Sequence, residues 1–113
     1  MDCLFCAIIN GTIPVNILFE DEQVLAFEDK SPQAPTHLLI IPKLHISTLN
    51  DANMSHTHLL GALLQTGAKL AKEKNLSDDG YRLVLNVNSN GGQSVYHIHL
   101  HLLGGRSMTW PPG

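Results

Sequence analysis

The run His97-Ile98-His99-Leu100-His101-Leu102-Leu103 alternates imidazole with apolar side chains. Along a strand, that alternation puts the three imidazoles on one face and the apolar residues on the other. Side chains two apart on one face are neighbours and crowded cations repel, so the row is expected to stay largely neutral, tied by hydrogen bonds from ring to ring or ring to carbonyl. Such a row offers a nucleophile, a proton donor and an orienting partner. The plainer alternative is a metal cluster or a polar strand face, because imidazole is a common metal ligand. Cys3 and Cys6 form a C-x-x-C pair. In a reducing compartment that spacing suggests a metal half-site or a redox pair more than a structural disulfide, and two unpaired core thiols are the simpler reading.

These groups need a scaffold, and 113 residues, 43% hydrophobic and 15% charged, fit one globular domain over 1–113. A domain of this size leaves apolar surface uncovered, which favours a homodimer. A net charge of −3 and a pI near 6.1 argue against broad nucleic-acid binding, which calls for a basic stripe. Any phosphate must be held locally. Leu38-Leu39-Ile40-Ile41 is too short to cross a bilayer and Met1-Asp2-Cys3 begins no signal peptide, so no membrane partner and a cytoplasmic address are expected.

No repeat or low-complexity stretch divides the chain. Leu4, Phe5, Ile8 and Ile9 recur at helical spacing before Gly11 and Pro14, predicting a short amphipathic helix. Ile17–Glu20 and Val24–Asp29 read as a hairpin around Asp21-Glu22, Ser31–Pro35 as a loop, and His37–Ile41 as a central strand ended by Pro42. From Ser55 to Lys74, Leu59, Leu60, Leu63, Leu64, Gly67, Leu70 and Ala71 form one stripe of a long helix that should cover a sheet face, with Asn75 as its cap. His56 and His58 open that helix as solvated residues. Tyr81–Val87 and Tyr96–Leu103 complete the strands, linked by Asn88-Ser89-Asn90-Gly91-Gly92, whose glycines permit positive φ. The order predicts an α+β domain: an antiparallel sheet of about five strands, one long helix and a short N-terminal helix.

The histidine run resembles the His-φ-His-φ-His-φ-φ signature of the histidine triad superfamily, where φ is apolar. Ser31-Pro32-Gln33-Ala34-Pro35-Thr36-His37, Ile41-Pro42-Lys43, Gly91-Gly92-Gln93-Ser94-Val95-Tyr96-His97 and Gly104-Gly105-Arg106 through Trp110-Pro111-Pro112-Gly113 are similar to its histidine triad nucleotide-binding (Hint) branch. The likeness extends over nearly the whole chain. It implies a purine nucleoside phosphoramidase cleaving a phosphorus–nitrogen bond, most simply in adenosine 5′-monophosphoramidate, and a homodimer whose sheets join into one larger sheet.

A neutral imidazole that attacks phosphorus and is later released by water divides one hard step into two. The resemblance makes His99 the nucleophile and gives His101 and His37 a hydrogen-bonded relay, with His101 at the phosphate and helping to protonate the leaving amine. His97 supports the geometry from within the core. Asn86, Ser94 and amides around Gly92 and Gln93 would meet the developing charge without a catalytic metal. Asp29 matches the family's ribose-binding acid, and Phe5, Ile8, Phe27 and Leu39 match the base pocket, although composition alone makes them ordinary core. Lys30 stands where an apolar residue is expected. Relatives with a structural zinc place its ligands at positions corresponding to Cys3, Cys6, His45 and His97, two thiols and two imidazoles suited to a tetrahedral site. Three alternatives use the same residues differently. A dinucleoside polyphosphate hydrolase shares the triad, although the C-terminal segment favours the Hint branch, and a nucleotidyl transferase would carry Gln in place of His101. A non-catalytic nucleotide- or protein-binding module would leave the histidines idle.

Overall fold

Strand pairing begins locally, because Asp21 Oδ1 accepts the N–H groups of Gln23 and Val24, both at 2.8 Å. This turn folds β1 (Ile17–Glu20) back on β2 (Val24–Glu28) as an antiparallel pair. The computed structural model describes residues 3–113; Met1 and Asp2, on which the expectation of no signal peptide rests in part, lie outside the described residues. β3 (Thr36–Pro42) adds to β2, and its almost wholly apolar sequence suits burial on both faces. β5 (Leu100–Gly104) pairs with β3, and β4 (Tyr81–Val84) pairs with β5, giving one five-stranded antiparallel sheet in the order β1-β2-β3-β5-β4.

Each sheet face has its own cover. On one side the long helix α2 (Thr57–Glu73) packs Leu59, Leu63, Leu70 and Ala71 against Val24, Ala26, Leu38, Ile40, Ile98, Leu100 and Leu102. The helix lies close to β4: a methyl group placed on Gly67 would meet Leu83 Cδ2 at 3.1 Å, a position that favours the smallest residue. On the other side α1 (Leu4–Ile9) lays Phe5 and Ile8 against Leu25, Phe27, Leu39 and Ile41. Apolar residues 98, 100 and 102 thus face α2, while the rings of His97 and His99 lie edge-on to Phe5 on the α1 side.

The expected fold class holds, with corrected boundaries. The last strand begins at Leu100 rather than Tyr96, because the Ile98 N–H donates to Ile46 O at 2.8 Å instead of joining the ladder. β4 ends at Val84 rather than Val87, and part of the expected glycine loop winds into a short helix, α3 (Asn88–Gly91), closed by Gly92 at φ +86. Residues 54–56 form a 3₁₀ turn that defers α2 to Thr57, and Asn75 follows the helix at φ +61. His56 is not simply solvated: its Nδ1 accepts the Asn53 N–H at 3.1 Å, closing that turn, whereas His58 is exposed.

Candidate active site

The pairing of β3 with β5 places His37 opposite Leu103 and Leu39 opposite His101. His37 Nε2 then lies 2.9 Å from His101 Nδ1. The loop before β3 determines the direction of this contact. Gln33 N–H, which can only donate, reaches His37 Nδ1 at 3.0 Å. A neutral His37 therefore carries its proton on Nε2 and donates it to His101 Nδ1, which leaves the His101 proton on Nε2. Asp29, just beyond β2, holds Oδ2 3.4 Å from His37 Nε2 while its Oδ1 accepts the Ser31 N–H at 2.8 Å.

His99 has the opposite arrangement. Its Nδ1–H donates to His97 O at 2.8 Å, so Nε2 carries the free lone pair. The ring is buried at 5% exposure, edge-on to Phe5 and with its centroid 5.0 Å from that of His101. His37, His97 and His101 are neutral near pH 7. Burial pushes His37 and His97 below the usual imidazole range. Burial, then the neighbouring His99 and His37, lowers His101 to about 4.

Phe5, Ile8, Phe27 and Leu39 line one cavity of about 130 Å³, joined by Ile13 and Val15 and bounded along one side by Glu28, Asp29 and Lys30. Ile13 and Val15, which flank Pro14 in the connection to β1, were not among the expected pocket residues. Their apolar alternation around that proline is the signal that could have found them. Asp29 also lines an adjoining hollow with Thr36 and His37, so the carboxylate lies between the apolar slot and the relay.

The glycine-rich loop departs from expectation. Gly92 N–H donates to Ser89 O and Gln93 N–H to Asn88 O, both at 3.1 Å, so these two amides close α3 rather than facing an anion. The buried Gln93 side chain is a brace: Oε1 accepts the Asn88 N–H, and Nε2 donates to Ser47 O and Val95 O. Ser94 lines a hollow with Cys3, His45, Ser47 and Tyr96. Asn86 lies half-buried just past β4.

A second cluster borders the first. His97 Nε2–H donates to Pro42 O at 2.7 Å, leaving Nδ1 bare. That nitrogen lies 3.4 Å from Cys3 Sγ, 3.7 Å from Cys6 Sγ and 3.1 Å from His45 Nδ1, and Cys6 Sγ is 3.4 Å from His45 Nδ1. Zinc bonds to nitrogen and sulfur set tetrahedral donors about 3.3–3.8 Å apart; the three sulfur–nitrogen separations fall in that range, and the nitrogen–nitrogen one, at 3.1 Å, lies just below it. Cys3 also caps α1, its Sγ accepting the Cys6 N–H at 3.3 Å. Burial and the adjacent Cys3 raise the Cys6 thiol above its ordinary value. Beyond β5, Arg106 donates to Gln33 O and Arg82 to Thr109 O, leaving Trp110 83% exposed.

Residues 2–110 match the family described as scavenger mRNA decapping enzyme C-term binding. The chain is 50% identical over 107 residues to the purine nucleoside phosphoramidase of Escherichia coli K12, covering 95% of this chain and 90% of that protein. It is 53% identical over 112 residues to a 14 kDa zinc-binding protein of Zea mays, covering 97% and 87%. The crystal structure of a HIT family hydrolase from Legionella pneumophila Philadelphia 1 superposes with a TM-score of 0.97 at 63% identity, covering 99% of this chain and 100% of that one.

Proposed function

The chain belongs to the histidine triad family, in its Hint branch, and from that premise we infer that it is a purine nucleoside phosphoramidase, a hydrolase of phosphorus–nitrogen bonds. One observation carries the reading: the backbone groups on His99 and His37 leave a lone pair at His99 Nε2 and an N–H at His101 Nε2 on neighbouring rings.

A nucleoside phosphoramidate places its base in the apolar slot and its ribose hydroxyls at Asp29, where carboxylate lone pairs remain. Its phosphoryl anion stabilises one extra proton on the His37–His101 pair: His101 then carries N–H on both nitrogens and donates Nδ1–H to His37 Nε2, while His37 holds its own proton on Nδ1 as the Gln33 N–H turns away. His99 Nε2 attacks the α-phosphorus and the P–N bond breaks. The His37–His101 pair gives a proton to the departing amine through His101 and becomes neutral. His99 then carries the nucleotidyl group and a positive charge, which its Nδ1–H shares with His97 O. Water attacks the same phosphorus and returns a proton to the pair, and the electrons of the P–N bond revert to His99 Nε2. The product is a nucleoside monophosphate. Ser94 and Asn86 are assigned to the phosphoryl oxygens; Gly92 and Gln93 support them by holding the loop.

The thiols of Cys3 and Cys6 and the imidazoles of His45 and His97 are assigned as ligands of a structural zinc. When bound, it supplies a tetrahedral tie between α1 and the segment leading into β5. No step of the reaction passes through it. Residues 1–113 are assigned as one domain that works as a homodimer. The edge strand β4 and the exposed Leu64 on α2 support an interface that extends the sheet. The exposed Trp110 supports a C-terminal segment that lies by a partner's site. Among the described residues no helix is long and apolar enough to cross a membrane.

Mass analysis after brief exposure to adenosine 5′-monophosphoramidate tests the mechanism. An adenylyl group on His99 is the expected result, and turnover with the adduct on any other residue would overturn it. Light scattering should give a dimer; a fully active monomer would remove the interface.

A further inference from the structure

One cation borders the apolar slot. Lys30 lines the same cavity of about 130 Å³ as Phe5, Phe27 and Leu39. Two of the other lysines have partners: Lys43 Nζ pairs with Glu20 at 2.7 Å, and Lys69 Nζ lies 4.4 Å over the Phe19 ring. Among the described residues the lysine–carboxylate ion pair is Lys43–Glu20, so the Lys30 ammonium is uncommitted. The adjacent Asp29 carboxylate makes no ion pair with it, turning instead to the Ser31 N–H and His37.

A lysine stem packs along apolar surface while its ammonium stays at the wet rim. That ammonium has three donors and no acceptor, so it discriminates among groups on the edge of a bound ring. Adenine presents the N7 acceptor beside an N6 amino donor, whereas guanine presents N7 and O6, two adjacent acceptors. Hypoxanthine shares the O6 and N7 pair. Against a 6-oxopurine the ammonium meets acceptors alone; against adenine it also meets a donor.

We propose that Lys30 is a specificity residue for the base, and that the preferred substrates are phosphoramidates of 6-oxopurine nucleosides, guanosine and inosine ahead of adenosine. This rests on the phosphoramidase reading and names the base on which that activity acts best. Because the ammonium is solvated, the preference is at the low end of what one well-placed pair provides, about five- to tenfold.

The test compares wild-type protein with Lys30→Met, which keeps an unbranched apolar stem and removes the charge at an exposed position. Calorimetric titration with GMP, IMP and AMP should show wild-type protein binding GMP and IMP about five- to tenfold tighter than AMP, and a preference of less than about twofold in Lys30→Met. The ratio of kcat/KM for guanosine and adenosine phosphoramidates should contract in parallel. Equal affinities in wild-type protein, or a preference that survives the substitution, would overturn the proposal. So would equal weakening of all three nucleotides, which would place the ammonium on the phosphate. Failure of the phosphoramidase reading looks different: neither phosphoramidate would release its amine, while the Lys30-dependent preference in nucleotide binding persisted.

Discussion

The run from His97 to His101 feeds two clusters whose ring-to-ring contacts are nearly the same length, 3.1 Å between His45 and His97 and 2.9 Å between His37 and His101. Their chemistry is opposite. In the first, the Pro42 carbonyl takes the His97 Nε2 proton and leaves a lone pair beside two thiols. In the second, the Gln33 N–H occupies the His37 lone pair and directs a proton through His37 toward His101. One backbone carbonyl makes an imidazole a ligand; one backbone amide makes another a proton donor. His99 lies between them, held by the carbonyl of a residue in the first cluster and set edge-on beside a residue of the second.

The most severe way to separate the two clusters is to remove the ring between them. His99→Ala should lower kcat/KM by at least about 10⁴-fold, the scale of losing a nucleophile, with AMP affinity within a few-fold and the thiol cluster intact. Turnover near the wild-type rate would end the covalent mechanism. His101→Ala acts on the second cluster alone. Its expected loss is about 10²–10⁴-fold, steepest for basic leaving amines, which most need a proton. A leaving-group series with equal losses throughout would take proton donation away from His101.

The first cluster responds to a different measurement. Protein prepared without chelator should carry about one zinc per chain by elemental analysis, and Cys3→Ser should lower both that content and the melting temperature, the latter by about 5 °C. Serine keeps a side-chain acceptor for the Cys6 N–H at the start of α1, so the fall in melting temperature reports the lost metal ligand and not a lost cap. If the clusters are as distinct as their hydrogen bonds indicate, His101→Ala should leave zinc content unchanged. A wild-type protein free of metal would return Cys3 and Cys6 to the core.

This division is only partly legible in the sequence. The period-two pattern predicts which residues share a face, and His97 and His99 do meet Phe5 while Ile98 and Leu100 meet the core beneath α2. That pattern cannot show the Ile46 carbonyl that takes the Ile98 N–H and delays the strand to Leu100. The donors that orient His37 and His99 are main-chain groups of Gln33 and His97, which carry no side-chain signature. The same blindness explains Gly92 and Gln93: a glycine-rich stretch predicts available amides, but local turn formation uses both. Lys30 is plain in the sequence, and only the folded cavity gives it a direction.

The smallest expected effect sharpens the contrast through protons. Burial lowers His37 and carries His101 to about 4, whereas an unfolded imidazole titrates near its ordinary 6.5. Between those values the unfolded chain binds protons that the native relay refuses, so stability increases with pH in that window. The contribution is fully present above about pH 6.5 and is lost as pH falls toward 4. His101→Gln removes one of the refusing rings. Its melting temperature should therefore fall less steeply than that of wild-type protein between pH 6.5 and 4, even if the variant is less stable at neutral pH. Parallel slopes would mean that the relay accepts protons as readily as the unfolded chain, and the neutral tautomers assigned to His37 and His101 would have to be abandoned.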